Sequence, residues 1–156
     1  METNIGISDN DRQDIATELF KMLADEFVLY TKTLNAYWNA EGADFYNKHQ
    51  FFQNQYMQSY KFIDSVATRI RSLGHYVPAT LASLLNLTQL TEITREKNDS
   101  HGFIKELLSD HESIIIQLRE DIHRITNDFQ DEATSSLLAS LLREHEEMAW
   151  FLRAHL

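Results

Sequence analysis

The residues with coordination chemistry fall in one stretch: Tyr37-Trp38-Asn39-Ala40-Glu41-Gly42, then His49-x-x-x-Gln53, then Asp64-x-x-x-Thr68. Imidazole nitrogens and carboxylate oxygens that converge from rigid elements bind hard and borderline metals. His49 and Asp64 are the good ligands here, while Tyr37, Gln53 and Thr68 occupy neighbouring positions with weaker donors. On a helix, steps of 4, 7 and 4 residues keep His49, Gln53, Tyr60 and Asp64 on nearly one flank, and Thr68 continues the row. His49 and Asp64 are 15 residues apart, about 22 Å along a helix axis. One chain therefore cannot close both around a single ion; two copies of the helix, antiparallel across a two-fold axis, can. The bland alternative is a half-buried polar seam that holds nothing.

A second set is His111 and His145, each flanked by acids (Asp110, Glu112, Glu144 and Glu146) and each on an apolar helical stripe. Such a pair inside a bundle serves either as metal ligands or as satisfied core imidazoles, each bonded to a buried partner such as a carboxylate on a facing helix. The second reading is the expectation. Asp128, Asp131 and Glu132 form a third cluster at a turn. They read as the lining of an acidic pore where subunits meet, or as helix capping by Asp131, since acids suit a helix N-terminus.

Four long helices are required to carry these groups. Ser8-x-x-Asp11 suits a helix start, and Ile15, Leu19, Met22, Leu23, Phe27, Tyr30, Leu34 and Trp38 recur at helical spacing up to Glu41-Gly42. A second helix is predicted over Asp44 to Gly74, with an inward stripe Phe45, His49, Phe52, Tyr56, Ser59, Ile63, Val66, Ile70 and Leu73. A short helix is expected within Thr80 to Leu90, then a polar loop. The third long helix spans about Ser100 to Asn127, with Ile104, Leu107, His111, Ile114, Leu118, Ile122 and Ile125 on one face. The fourth spans about Asp131 to His155, with Leu138, Leu141, His145, Met148 and Leu152 inward. A short turn joins the last two, and a long link joins the second to the third. Two helix pairs with one long crossover make an all-α, ferritin-like four-helix bundle with a short helix in that crossover.

Composition agrees. At 156 residues, the whole chain is expected to form one domain, and one Pro with four Gly favours long helices. There is no Cys, which excludes disulfides and thiolate chemistry. Fourteen Lys and Arg against twenty-four Asp and Glu, a net charge of −10, argue against a nucleic-acid partner and suit either cation attraction or plain solubility. Neither a signal segment nor a membrane-spanning run is present, so a cytoplasmic protein is expected.

The chain resembles the Dps family, the miniferritins, over nearly its whole length. The residues that carry the likeness are Leu29-Tyr30, Tyr37-Trp38-Asn39, Gly42, Phe45, His49, Ile63-Asp64 and Ala67. Arg69 to Gly74, Leu107-Leu108, Asp110-His111-Glu112, Glu144-His145-Glu146 and Ala149 to Ala154 complete it. The resemblance implies a shell of twelve subunits with 23 symmetry. It implies that iron(II) binds between two-fold-related subunits, is oxidised preferentially by hydrogen peroxide, and collects inside as ferric mineral. In that pattern the first His is Tyr37 here, the second is His49, the acid after it is Gln53, the later Asp is Asp64, and the Glu beyond is Thr68. Two His and three acids fall to one of each, so the ligand charge per site drops by two. Weakened iron binding and impaired ferroxidase activity are expected. The alternatives are a ferroxidase site moved into the bundle near His111 and Glu144, or a non-catalytic shell or partner-binding protein that kept the fold and lost the chemistry. Family members that bind DNA use Lys-rich tails; the acidic start and the ending at Leu156 predict no DNA binding here.

Overall fold

The computed structural model describes residues 3–156. Helix α1 runs over Asp9–Asn39, α2 over Phe45–Ser72, α3 over Leu81–Leu87, α4 over Ser100–Arg124 and α5 over Glu132–Arg153. The pairs α1/α2 and α4/α5 pack as antiparallel hairpins and face each other, and α3 lies in the crossover against α1. This is the ferritin-like bundle that the hydrophobic spacing predicts.

Local chemistry sets the ends. Ser8 caps α1 by accepting the Asp11 N–H at 3.1 Å. The helix stops at Asn39, earlier than Gly42, because Ala40 turns extended and the Glu41 N–H pairs with the Asn98 carbonyl at 2.8 Å. Gly74, at φ +91°, ends α2 in a full Schellman turn: Gly74 N–H to the Arg71 carbonyl at 3.0 Å and His75 N–H to the Ile70 carbonyl at 3.2 Å. Asp99 caps α4 through the Gly102 N–H at 2.7 Å. That helix closes in one π-type turn, Ile125–Phe129, and the following Gln130 is left-handed at φ 53°.

The expected stripes of α4 and α5 are buried, with Ile104, Leu107, Ile114, Leu118, Leu138, Leu141 and Leu152 at the centre. Two expected core aromatics are exposed. Trp38 is 66% exposed and Phe45 44% exposed. Trp38 follows the buried Ala36 by two residues, roughly 200° around the helix, so it points away from the core. Phe45 sits three heptads before the buried Val66 and Ile70 stripe, and a straight helix drifts about 20° per heptad against a strict seven-residue repeat. Together with Tyr46, Met57 and Tyr60 they leave a broad apolar strip on the outer side of α1 and α2.

The crossover is pinned by buried polar groups. Asp25 on α1 accepts the Thr88 hydroxyl and the Gln89 N–H, both at 2.7 Å. Burial raises its pKa, against the pull of those hydrogen bonds. Lys32 meets Asp110 at 2.6 Å, Glu106 at 3.1 Å and the Thr91 carbonyl at 2.8 Å.

Candidate metal centre

The Tyr37 end of α1 and the first turns of α2 meet across the short turn between them. His49 Nδ1 lies 2.8 Å from the Tyr37 main-chain carbonyl. A carbonyl only accepts, so Nδ1 carries the proton, and in the neutral imidazole Nε2 keeps its lone pair. A histidine oriented in this way is preset to bind a cation through its other nitrogen. The Tyr37 ring stacks on the imidazole, with centroids 4.0 Å apart and planes 19° apart, and the Phe45 ring lies against it at 5.1 Å, tilted by 32°. Gln53, one turn on, accepts from the Gln50 amide at 3.0 Å.

Asp64 and Thr68 lie farther along α2, both exposed. Asp64 makes no hydrogen bond or ion pair among the described residues, so its carboxylate is free toward solvent. At about 1.5 Å per residue it stands far from His49 on the same helix. Tyr37 and His49 are thus brought together, Gln53 follows one turn on, and Asp64 and Thr68 form a separate end. Among the described residues no three His, Asp or Glu side chains of one chain converge to hold a metal.

A buried relay fills the bundle centre. Glu26 Oε1 is 2.6 Å from His145 Nε2, and His145 Nδ1 is 2.9 Å from His111 Nδ1. The three side chains are 0%, 0% and 1% exposed. The satisfied-imidazole reading of both His is the one observed. The carboxylate comes from α1, and Glu26 was not singled out from sequence. Its signal was an acid set within the apolar run Met22-Leu23-Ala24 and Phe27-Val28-Leu29. Burial, followed by the neighbouring His145, holds His111 well below the usual imidazole pKa. Among the described residues, Glu26 Oε2 is buried without a hydrogen-bond partner. Glu144 takes no part: it accepts from the Gln58 amide at 2.9 Å, on the bundle's outer side. The groups form a line of bonds, not a convergent cage.

At the last turn, Asp131 is only 4% exposed and caps α5 through the Thr134 N–H at 3.1 Å. Arg69 from α2 clasps the same carboxylate with contacts of 2.9 and 2.8 Å and donates to the Thr134 hydroxyl at 2.7 Å. Burial pushes the Asp131 pKa up, but the bonds from Thr134 and Arg69 outweigh it and the net shift is downward. Asp131 is thereby a capping and ion-pairing residue, while Asp128 and Glu132 are exposed.

Comparison with known proteins agrees with this architecture. The sequence model of the ferritin-like domain matches residues 16–156. The chain is 36% identical to a low temperature-induced protein of Nostoc sp. over 97% of its length and 84% of the relative's. It is 33% identical to DNA protection during starvation protein 2 of Bacillus anthracis, over 88% of this chain and 93% of the other. The crystal structure of the Dps protein from Vibrio cholerae superposes with a TM-score of 0.91 at 28% identity, covering 99% of this chain and 96% of that one. DpsC from Streptomyces coelicolor superposes with a TM-score of 0.94 at 26% identity, covering 99% and 90%. With the helical bundle and the crossover helix in place, this chain belongs to the ferritin-like family, as a member of its Dps, or miniferritin, branch.

Proposed function

We propose that the whole chain folds as one domain and assembles into a Dps-type shell, a homo-dodecamer with 23 symmetry, that binds and stores iron and protects against iron and peroxide. Iron is the cargo and substrate, not a resident cofactor. The observation that carries this reading is the preset His49, with Nδ1 held by the Tyr37 carbonyl and Nε2 bare. Its counterpart is the free carboxylate of Asp64. In a two-fold dimer built on the exposed strip of Trp38, Phe45, Met57 and Tyr60, the His49 end of one copy faces the Asp64 end of the other. Each shared site then offers one imidazole, one carboxylate and the weak donors Tyr37, Gln53 and Thr68. That set binds a single iron(II) weakly, and rapid two-iron oxidation is lost. Mineral grows instead on interior carboxylates, with Asp128 and Glu132 at the entry pores; Asp131 is excluded from that role by its Arg69 clasp. The net charge of −10 supports attraction of cations and no binding of nucleic acid.

Anaerobic iron(II) titration of the purified shell tests the site. Weak binding that His49→Ala removes is expected; tight binding that survives His49→Ala sinks it. Iron content and peroxide consumption of the same shell separate storage from a shell without chemistry: ferric mineral supports storage, and neither mineral nor peroxide use supports an inert shell. A shift of plasmid mobility at physiological salt would contradict the absence of a nucleic-acid partner.

A further inference from the structure

Tyr37 is the first of a file of phenols that runs along the α1–α2 face. Its ring lies 4.0 Å from the His49 imidazole and 5.1 Å from Tyr56. Tyr56 lies 6.1 Å from Tyr30, and Tyr30 lies 6.3 Å from Tyr60, which is 60% exposed. Helical spacing builds the file: Tyr30 and Tyr37 are two turns apart on α1, and Tyr56 and Tyr60 one turn apart on α2. Packing alone would be served as well by Phe. Among the described residues, none of the four hydroxyls has a hydrogen-bond partner. The file starts on the surviving imidazole ligand and ends one helical turn from Asp64, so it joins the two ends of the site row within one chain.

We propose that Tyr37 supplies one electron when peroxide is reduced at the His49 site, and that Tyr56, Tyr30 and Tyr60 carry the resulting hole away. The inference rests on the iron-binding reading above. One iron(II) gives one electron, whereas cleaving the peroxide O–O bond without releasing hydroxyl radical takes two. The Tyr37 phenol provides the second electron together with its proton. Iron(II), hydrogen peroxide and Tyr–OH become iron(III), hydroxide, water and a tyrosyl radical. The O–O bond breaks, one oxygen leaves as hydroxide, the other takes the phenolic proton to become water, and iron and Tyr37 are each oxidised by one electron. Rings in contact pass a hole readily because electronic coupling falls steeply with distance. The chain has no Cys to intercept it.

The test is freeze-quench electron paramagnetic resonance on the assembled shell, loaded anaerobically with iron(II) and mixed with hydrogen peroxide. The wild type is expected to give a tyrosyl radical. Tyr37→Phe, which keeps the ring stack, is expected to lower that signal several-fold and to raise spin-trapped hydroxyl radical. Tyr76→Phe, on an exposed tyrosine outside the file, is expected to match the wild type. Iron(III) formation with no protein radical, or equal radical and spin-trap yields in wild type and Tyr37→Phe, overturns the proposal. An unchanged spectrum in Tyr60→Phe overturns transfer to the outer ring. The anaerobic titration separates the two readings: no iron(II) binding overturns both, and binding without a radical overturns only this one.

Discussion

His49 and Tyr37 are joined twice: the imidazole N–H bonds the Tyr37 carbonyl at 2.8 Å, and the two rings stack at 4.0 Å. The backbone half of this relationship survives any change of the Tyr37 side chain, so the orientation of His49 does not depend on it. Only the donor offered at position 37 does. Tyr37→His is therefore expected to tighten iron(II) binding by on the order of tenfold, about 1.4 kcal/mol, without loss of stability. Anaerobic titration monitored by calorimetry reads the change.

Charge restoration is a separate lever. Gln53→Glu with Thr68→Glu adds two negative charges per proposed shared site, at positions that are half-buried and exposed. Hard-cation affinity follows ligand charge. Iron(II) oxidation by peroxide, followed by ferric absorbance in stopped flow, is expected to accelerate at least tenfold. An unchanged rate would show that the two ends do not meet in the assembly.

The Arg69–Asp131 clasp ties α2 to the start of α5, with the Asp131 side chain 3% exposed. Arg69→Ala leaves that carboxylate buried without its cation. A loss of about 2–4 kcal/mol is expected from urea unfolding, since breaking a buried pair costs more than the pair is worth against apolar substitutes. Asp131→Asn keeps a cap and should cost less than Asp131→Ala.

The buried His111 ties stability to pH. Its folded pKa lies below its unfolded value, so the unfolded chain binds the extra proton first. Stability is fully present above the unfolded value of about 6.5 and falls as pH drops from there toward the folded pKa, by at most about 1.4 kcal/mol per pH unit for this group. Thermal unfolding between pH 7 and pH 5 is expected to show a smaller drop in His111→Gln than in the wild type. The raised pKa values of Asp25, Asp110 and Asp121 have the opposite sign and are common to both proteins, so the difference reads the buried His111–His145 pair.

The apolar strip on α1 and α2 predicts where copies join. Trp38→Glu places a charge on a side chain already 66% exposed in one chain, so the fold itself should tolerate it. Light scattering after size-exclusion chromatography is expected to show smaller species than the wild type forms, with unchanged helical circular dichroism.

The sequence by itself determined the helices, most of their inward faces and the spacing of His49 and Asp64, because helical periodicity and capping act between residues a few positions apart. It separated the two ends of the row, since rise per residue is a property of any helix. Only the tertiary structure decided the rest. That the Glu26 carboxylate completes the His145–His111 line, that Arg69 takes Asp131, and that the Tyr37 carbonyl sets the His49 tautomer all depend on which side chains the folded chain brings face to face. The same is true of Trp38 and Phe45, which fit the periodic stripe and still face outward. A long straight helix rotates its stripe away from its partner, and no local pattern records where the partner ends.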